Sequence, residues 1–225
     1  MDQLTNTQKP KVSLYVLSST ERGGWVNPYL VSSLMRLQRD SRLILKVGMV
    51  IDRRPVEHAR NLCIIDARGK GADVCIQIDN DMTLPSNFAD ISLEAFRGGK
   101  SVVCLSYGAL PADGPRMIPQ DRGTPDGDFQ QIAQGGGGAL IISSDVWKVI
   151  PRGPWFRWLA NEDEVLSLRL SEDYYFCWLV QNQGLTVWTH KCEAGHLKTD
   201  DATKWVLRMM HPLEANPKSE KGETG

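Results

Sequence analysis

The sequence predicts an α/β fold in a single domain, with a mainly parallel central sheet flanked by helices. Three observations lead there. Short apolar runs alternate with segments of helical spacing from Lys11 to Tyr107, the pattern of a layered α/β protein. Glycines close the helical segments, at Gly69 and Gly71, at Gly98 and Gly99, and at Gly184, as helix ends favour. One apolar run, Val74 to Ile78, stops abruptly at Asp79-Asn80-Asp81. In open α/β sheets, ligands bind beyond such carboxyl ends of strands.

Each element follows from its local pattern. Lys11 to Leu17 alternates and then runs apolar, which predicts a first strand. Ser18 to Gly24 is a polar loop. Asn27 to Leu37 has helical spacing, and Pro28 suits its first turn. Leu43 to Ile51 is a second strand. Arg54 to Arg68 reads as a helix opened by Pro55, with Val56, Ala59, Leu62 and Cys63 on one apolar face. Val74 to Ile78 is the third strand, Phe88 to Phe96 a short helix, and Ser101 to Tyr107 the fourth strand. The pattern then breaks. Gly108 to Gly135 is rich in Gly, Pro, Asp and Gln without a period, and a stretch this long in a compact domain is a functional or disordered loop. Gly135 to Gly138 leads into apolar Ala139 to Ile142. Ser143 or Ser144 caps a helix through Val149, stopped by Pro151. Ser171 caps a helix through Gln183, with Gly184 at its C′ position. Leu185 to Trp188 is a final short strand. One domain is expected over residues 1–211, followed by a flexible polar tail over 212–225.

Composition narrows the class. The chain has 225 residues, 41% hydrophobic and 24% charged, which is ordinary for a soluble globular protein. A net charge of −1 gives no footprint for nonspecific nucleic-acid binding. No apolar run is long enough to span a bilayer, and Met1 to Lys11 is polar and lacks a signal-peptide core. A cytoplasmic location is the default expectation. Cys63, Cys75, Cys104 and Cys177 lie in apolar segments, where cysteine is a small core residue. With Cys192 the number is odd and no C-x-x-C pair occurs, which argues against a disulfide framework or a zinc site.

Several residue groups suggest chemistry. Two carboxylates at the end of a buried strand need compensation in a dry environment. A Mg or Mn ion with oxygen ligands supplies it, and such ions also hold substrate phosphates. A solvated acidic turn is the alternative. Glu172 and Asp173 fall in the first turn of a helix, where they complement its dipole or serve as a catalytic base. Adjacent helical residues point about 100° apart, so at most one of the two faces a reacting atom squarely. His196, in Glu193-Ala-Gly-His-Leu-Lys198, follows Gly195, which allows close backbone approach. Its imidazole can complete a Mn site, and Lys198 can meet a phosphate; an ordinary surface histidine is the alternative. Arg60 and Asn61 form part of a solvated helix face, or Arg60 reaches a nucleotide diphosphate. Gly135 to Gly138 matches neither a P-loop nor a dinucleotide fingerprint. It suits backbone passing close to a bulky ligand such as a sugar, or a flexible turn. Trp155, Phe156 and Trp158 are candidate stacking surfaces.

Taken in order, Ala59-Arg60-Asn61, Asp79-Asn80-Asp81, the glycine run before Ala-Leu-Ile-Ile, Ser171-Glu172-Asp173-Tyr174-Tyr175-Phe176 and Gly195-His196 resemble a GT-A-fold glycosyltransferase. The resemblance is to family 2, particularly its small soluble bacterial and phage members, and covers Val12 to Lys198. It implies a nucleotide-sugar donor, a UDP-sugar by preference, and a Mn or Mg ion. Asp81 would ligate the metal, Asp79 would touch the ribose or the metal, and His196 would complete the site. Asn80 would lie in the donor site with Asp79. Asp173 would deprotonate the acceptor hydroxyl, and Glu172 would orient the acceptor. The loop holding Ser18, Ser19, Glu21 and Arg22 would help hold the nucleoside, with Arg60 nearby and Lys198 on the phosphates. Direct displacement would invert the anomeric centre, whereas some related D-x-D families retain it. The acceptor is a glycan, a small molecule or a modified nucleobase.

The chain departs from the family pattern in lacking Q-x-x-R-W after the base. Trp205 and Arg208 lie too far along to equate with it. The absence of apolar spans argues against a processive polysaccharide synthase. Two rivals remain. A sugar-nucleotide nucleotidyltransferase would share the core, but Ser18 to Gly24 matches its basic glycine-rich signature poorly. A non-catalytic nucleotide-sugar or glycan-binding module would have no use for the ordered acidic positions.

Overall fold

The computed structural model describes residues 9–18, 26–51, 55–108, 125–159 and 171–196. The polar tail, Ser19, Glu21, Arg22 and Lys198 lie outside them.

Strand β1 (Lys11–Ser18) is followed by α1 (Pro28–Gln38), β2 (Ile44–Ile51), α2 (Val56–Gly69) and β3 (Val74–Asp79). Then come β4 (Met82–Thr83), α3 (Phe88–Arg97), β5 (Val102–Gly108), β6 (Phe129–Gln131) and β7 (Ala139–Ser143). Helices α4 (Ser144–Val149) and α5 (Glu172–Asn182) lead into β8 (Val187–His196). The described strands join one sheet in the order β2-β1-β3-β7-β5-β8-β4, with β6 also on β8. Strand β1 is parallel to β2 and β3, and β5 is parallel to β8. Strand β7 runs antiparallel between β3 and β5. Strands β1, β2, β3, β5 and β8 therefore share one direction, as a mainly parallel sheet requires, while β4, β6 and β7 oppose it.

Local chemistry sets the helix ends. The Asn27 side chain accepts from Tyr29 N at 2.9 Å, and Pro28 occupies the first turn of α1, where its missing N–H costs nothing. Gly99 and Gly184, after α3 and α5, adopt φ of +64° and +76°, a region glycine enters without a Cβ clash.

The period of two along the strands builds two cores. Tyr15 and Leu17 of β1, Cys104 of β5 and Leu140 of β7 pack under α2, α4 and α5 with Cys63, Trp147 and Phe176. Val12, Leu14 and Val16 of β1 face the other way, with Leu30 of α1 and Ile91 of α3. Each such fully buried large side chain contributes about 1.5–3 kcal/mol. Cys63, Cys75, Cys104 and Cys177 are buried, as their apolar settings predict.

Three expectations change. The segment from Gly108 to Gln134 contains β6, whose register pairs Phe129 with His190. Strand β8 continues past Trp188 to His196, although Thr189-His190-Lys191-Cys192-Glu193 carries no apolar run. Main-chain pairing with β5 on one side, and with β6 and β4 on the other, supplies what hydrophobicity does not. Trp155 and Phe156 are not stacking surfaces, because they are 3% and 1% exposed and belong to the α2/α5 core. Trp158 does remain exposed.

Candidate active site

The carboxyl end of β3 and the N-terminus of α5 meet over the buried side chain of Arg60. Strand alternation turns Asp79 toward the α2/α5 face, the face of Cys75. Arg60 Nη2 donates to Asp79 Oδ1 at 3.0 Å and to Oδ2 at 3.3 Å. Its Nε lies 3.6 Å from Glu172 Oε1. The guanidinium is 2% exposed. It therefore lies beside the predicted donor region but serves the carboxylates, and does not reach an open ligand surface. Burial pulls its pKa down, while Asp79, Glu172 and Asp173 pull it up, and the carboxylates win. Its Nη1 has no hydrogen-bond partner among the described residues.

Glu172 and Asp173 divide as helical geometry requires. Glu172 is buried against Arg60. Burial raises its pKa first, and the Asp173 charge adds to this, with Arg60 opposing. Asp173 is the more accessible of the two. Its Oδ2 accepts from Gly137 N at 3.0 Å, and its Oδ1 accepts from Tyr174 N at 2.9 Å and from the Ser171 hydroxyl. Ser171 does stand at the N-cap of α5, but its side chain bonds Asp173 in place of the backbone cap. This fixes the carboxylate in one orientation, the condition for a pre-placed base.

The glycine run does this positioning. A Cβ on Gly137 would lie 2.8 Å from Arg60 Nη2, 3.0 Å from its Cζ and 3.3 Å from Asp173 Cβ. A Cβ on Gly135 would lie 2.6 Å from Cys104 Sγ. The close approach expected toward a sugar is thus an approach to the protein's own Arg60, Asp173 and core. Gly138 O accepts from Asp79 N at 2.8 Å, tying the same segment to the acidic turn.

The turn itself is anchored to β1 and α1. Asn80 N donates to Leu17 O at 3.0 Å, Asn27 N donates to Asn80 O at 3.0 Å, and Asn80 Nδ2 donates to Ser18 Oγ at 3.4 Å. Ser18 and Asn80 therefore sit together. Asp81 is 9% exposed. The backbone of His196 pairs with Met82, which brings it to the residue after Asp81; its side chain lies outside the described ones. Among the described residues, no three His, Cys, Asp or Glu side chains converge as a metal-ligand set.

Asn61 was not legible as a site-builder. Its Nδ2 donates to Phe156 O at 2.8 Å, and its Oδ1 accepts from Trp155 N at 2.8 Å and Phe156 N at 3.1 Å. Phe156 in turn stacks on Phe176 of α5 at 4.3 Å. Asn61 thereby helps lock α5 against α2. A polar residue at mid-helix, next to Arg60, was the one available signal.

No protein-family profile matches the chain, and no curated protein sequence matches it. Solved structures do. A197 from STIV superposes with a TM-score of 0.58 at 18% identity, over 84% of this chain and 87% of that one. A UDP-glucose pyrophosphorylase complexed with UDP-glucose gives 0.57 at 8% identity, over 90% and 100%. The chain has the GT-A fold. Staphylococcus aureus TarS 1-349, in complex with UDP-GlcNAc, gives 0.50 at 13% identity, over 84% of this chain and 58% of that one. At such identities the likeness is one of fold. No helix among the described residues is long and apolar enough to cross a membrane.

Proposed function

We propose that the protein is a glycosyltransferase that moves a sugar from a nucleotide sugar, a UDP-sugar by preference, to an acceptor hydroxyl. One observation carries this reading. An accessible carboxylate, Asp173, is fixed at a helix N-terminus beside the acidic turn that ends β3. Such a group can accept the proton of an attacking hydroxyl. Arg60 holds Asp79 and Glu172 in place and partly offsets their charge, while burial still raises the Glu172 pKa. Glu172, buried beside Asp173, sets the local field in place of contacting the acceptor directly.

The acidic turn that ends β3 supplies hard oxygen donors, Asp79 and Asp81, of the kind a divalent cation takes. Asp81, with Asp79 and His196, would hold Mn or Mg, which when bound stabilises a leaving diphosphate. Ser18 and Asn80 would bear on the nucleoside, together with Ser19, Glu21, Arg22 and Lys198. We take residues 1–211 as the catalytic domain and the cytoplasm as its location.

Thermal melting against a panel of nucleotide sugars, with and without Mn, tests the reading. A binding donor raises the melting temperature as its concentration passes its Kd. A flat response across UDP-, GDP- and dTDP-sugars would overturn it.

A further inference from the structure

The opposite face of the sheet carries a cleft of about 790 Å³. Pockets of about 300–1,000 Å³ hold small ligands. None of Asp79, Asp81, Glu172 or Asp173 lines it. One wall is α1, through Tyr29, Ser32 and Ser33, with Arg36 donating to Ser33 Oγ at 3.1 Å. The other wall is the chain from Thr83 to Asn87. His190, from the middle of β8, lines the cleft between them.

His190 is the informative residue. It is 4% exposed, packs edge-on against Phe129 at 4.7 Å, and its Nδ1 has no hydrogen-bond partner among the described residues. A buried ring nitrogen without a partner is costly, and a group that bonds to it would relieve that cost. Burial lowers its pKa, against the pull of Asp128 and Glu94. The ring is therefore neutral at neutral pH and offers one donor and one acceptor.

The rest of the lining says what kind of ligand. Arg36 and Lys191 outweigh Asp128 by one positive charge, but all three side chains are exposed and solvent-screened, so no strong field favours an anion. The serine and threonine hydroxyls and the Asn87 amide each donate and accept, and Tyr29 adds an aromatic ring. Such a wall matches a neutral, polyhydroxylated molecule with both donors and acceptors along its length. The cleft also adjoins the candidate site. Thr83 follows Asp81 by two residues, and β4 pairs Thr83 with Gly195, next to His196.

We propose that this cleft binds a neutral oligosaccharide, the body of the glycosyl acceptor, with its reacting end carried past Asp81 and around the carboxyl end of β3 to Asp173. The acceptor role rests on the glycosyltransfer reading; saccharide binding does not. Titrating the full chain with neutral gluco-, chito- and manno-oligosaccharides, without nucleotide sugar or metal, tests it by saturation-transfer NMR. At least one series should bind. Ser32→Trp, which fills the cleft from an exposed helical position, should weaken that binding about tenfold or more, and Asp128→Ala, also exposed, should weaken it with the fold intact by circular dichroism. Nucleotide-sugar binding should be unchanged in both. Absence of saccharide binding, binding indifferent to both variants, or displacement of the saccharide by inorganic phosphate would overturn the proposal. Saccharide binding that depends on Ser32, in a protein that binds no nucleotide sugar, would keep the cleft as a glycan site, overturn its acceptor role and sink the glycosyltransfer reading alone.

Discussion

The two faces of the sheet solve different problems with the same strands. On the α2/α5 face, Arg60 is buried among Asp79, Glu172 and Asp173, and each of these side chains is held by named partners. On the α1/α3 face, His190 is as deeply buried, yet its Nδ1 lacks a hydrogen-bond partner among the described residues and the walls around it carry exposed hydroxyls. The first face is pre-organised, with charges fixed in low dielectric where they act strongly. The second is left incomplete, as a binding surface is before its ligand arrives. The comparison predicts that substitutions on the first face change chemistry and stability together, whereas those on the second change binding alone.

The largest effect should come from Asp173→Asn. The amide keeps the shape and cannot accept a proton, so turnover should fall about 10²- to 10⁴-fold, while donor binding by calorimetry stays near wild type. Normal turnover in that variant would remove Asp173 from the role of base. Next is Arg60→Met. It leaves the buried Glu172 and the half-buried Asp79 without their counter-charge, and should cost about 3–5 kcal/mol in urea denaturation at neutral pH. The loss should shrink on acidification, as those carboxylates protonate.

Gly137→Ala is subtler and sharpens the contrast between the faces. Its methyl would meet Arg60 Nη2 at 2.8 Å, so the guanidinium and Asp173 must shift. About 1–3 kcal/mol of stability should be lost, together with turnover, and oligosaccharide binding should be untouched.

The smallest effect concerns Glu172. Its pKa in the folded chain is raised, by burial first and then by Asp173. The folded state therefore holds this proton more tightly than the unfolded state. Stability is favoured while the group is protonated, and falls as pH rises from the ordinary glutamate value through the raised one. Glu172→Gln should flatten that part of the stability profile. Identical slopes in the two proteins would show that Glu172 is not desolvated in solution.

Much of this arrangement was legible because its signals are local. The apolar run before Asp79 announced a strand end, and Ser171 announced the start of α5. Strand β8 beyond Trp188 was not legible, since Thr189 to Glu193 owe their conformation to three neighbouring strands. The roles of Gly137 and Asn61 were hidden for the same reason. Gly137 is needed because Arg60 and Asp173, remote in sequence, pack on its Cα. Asn61 holds the backbone of Trp155 and Phe156, and that contact turned a supposed stacking surface into core. Long-range pairing, close approach and polar bonds to a distant backbone leave no periodicity to read.

The most direct test of glycosyl transfer is the identity of the nucleotide product. The protein would be incubated with the nucleotide sugar that raises its melting temperature, with Mn, a saccharide acceptor and pyrophosphate, and the products separated by mass spectrometry. Glycosyl transfer predicts a nucleoside diphosphate and an acceptor heavier by one sugar residue, both lost in Asp173→Asn. A nucleoside triphosphate with a free sugar phosphate would instead establish nucleotidyl transfer and contradict the account.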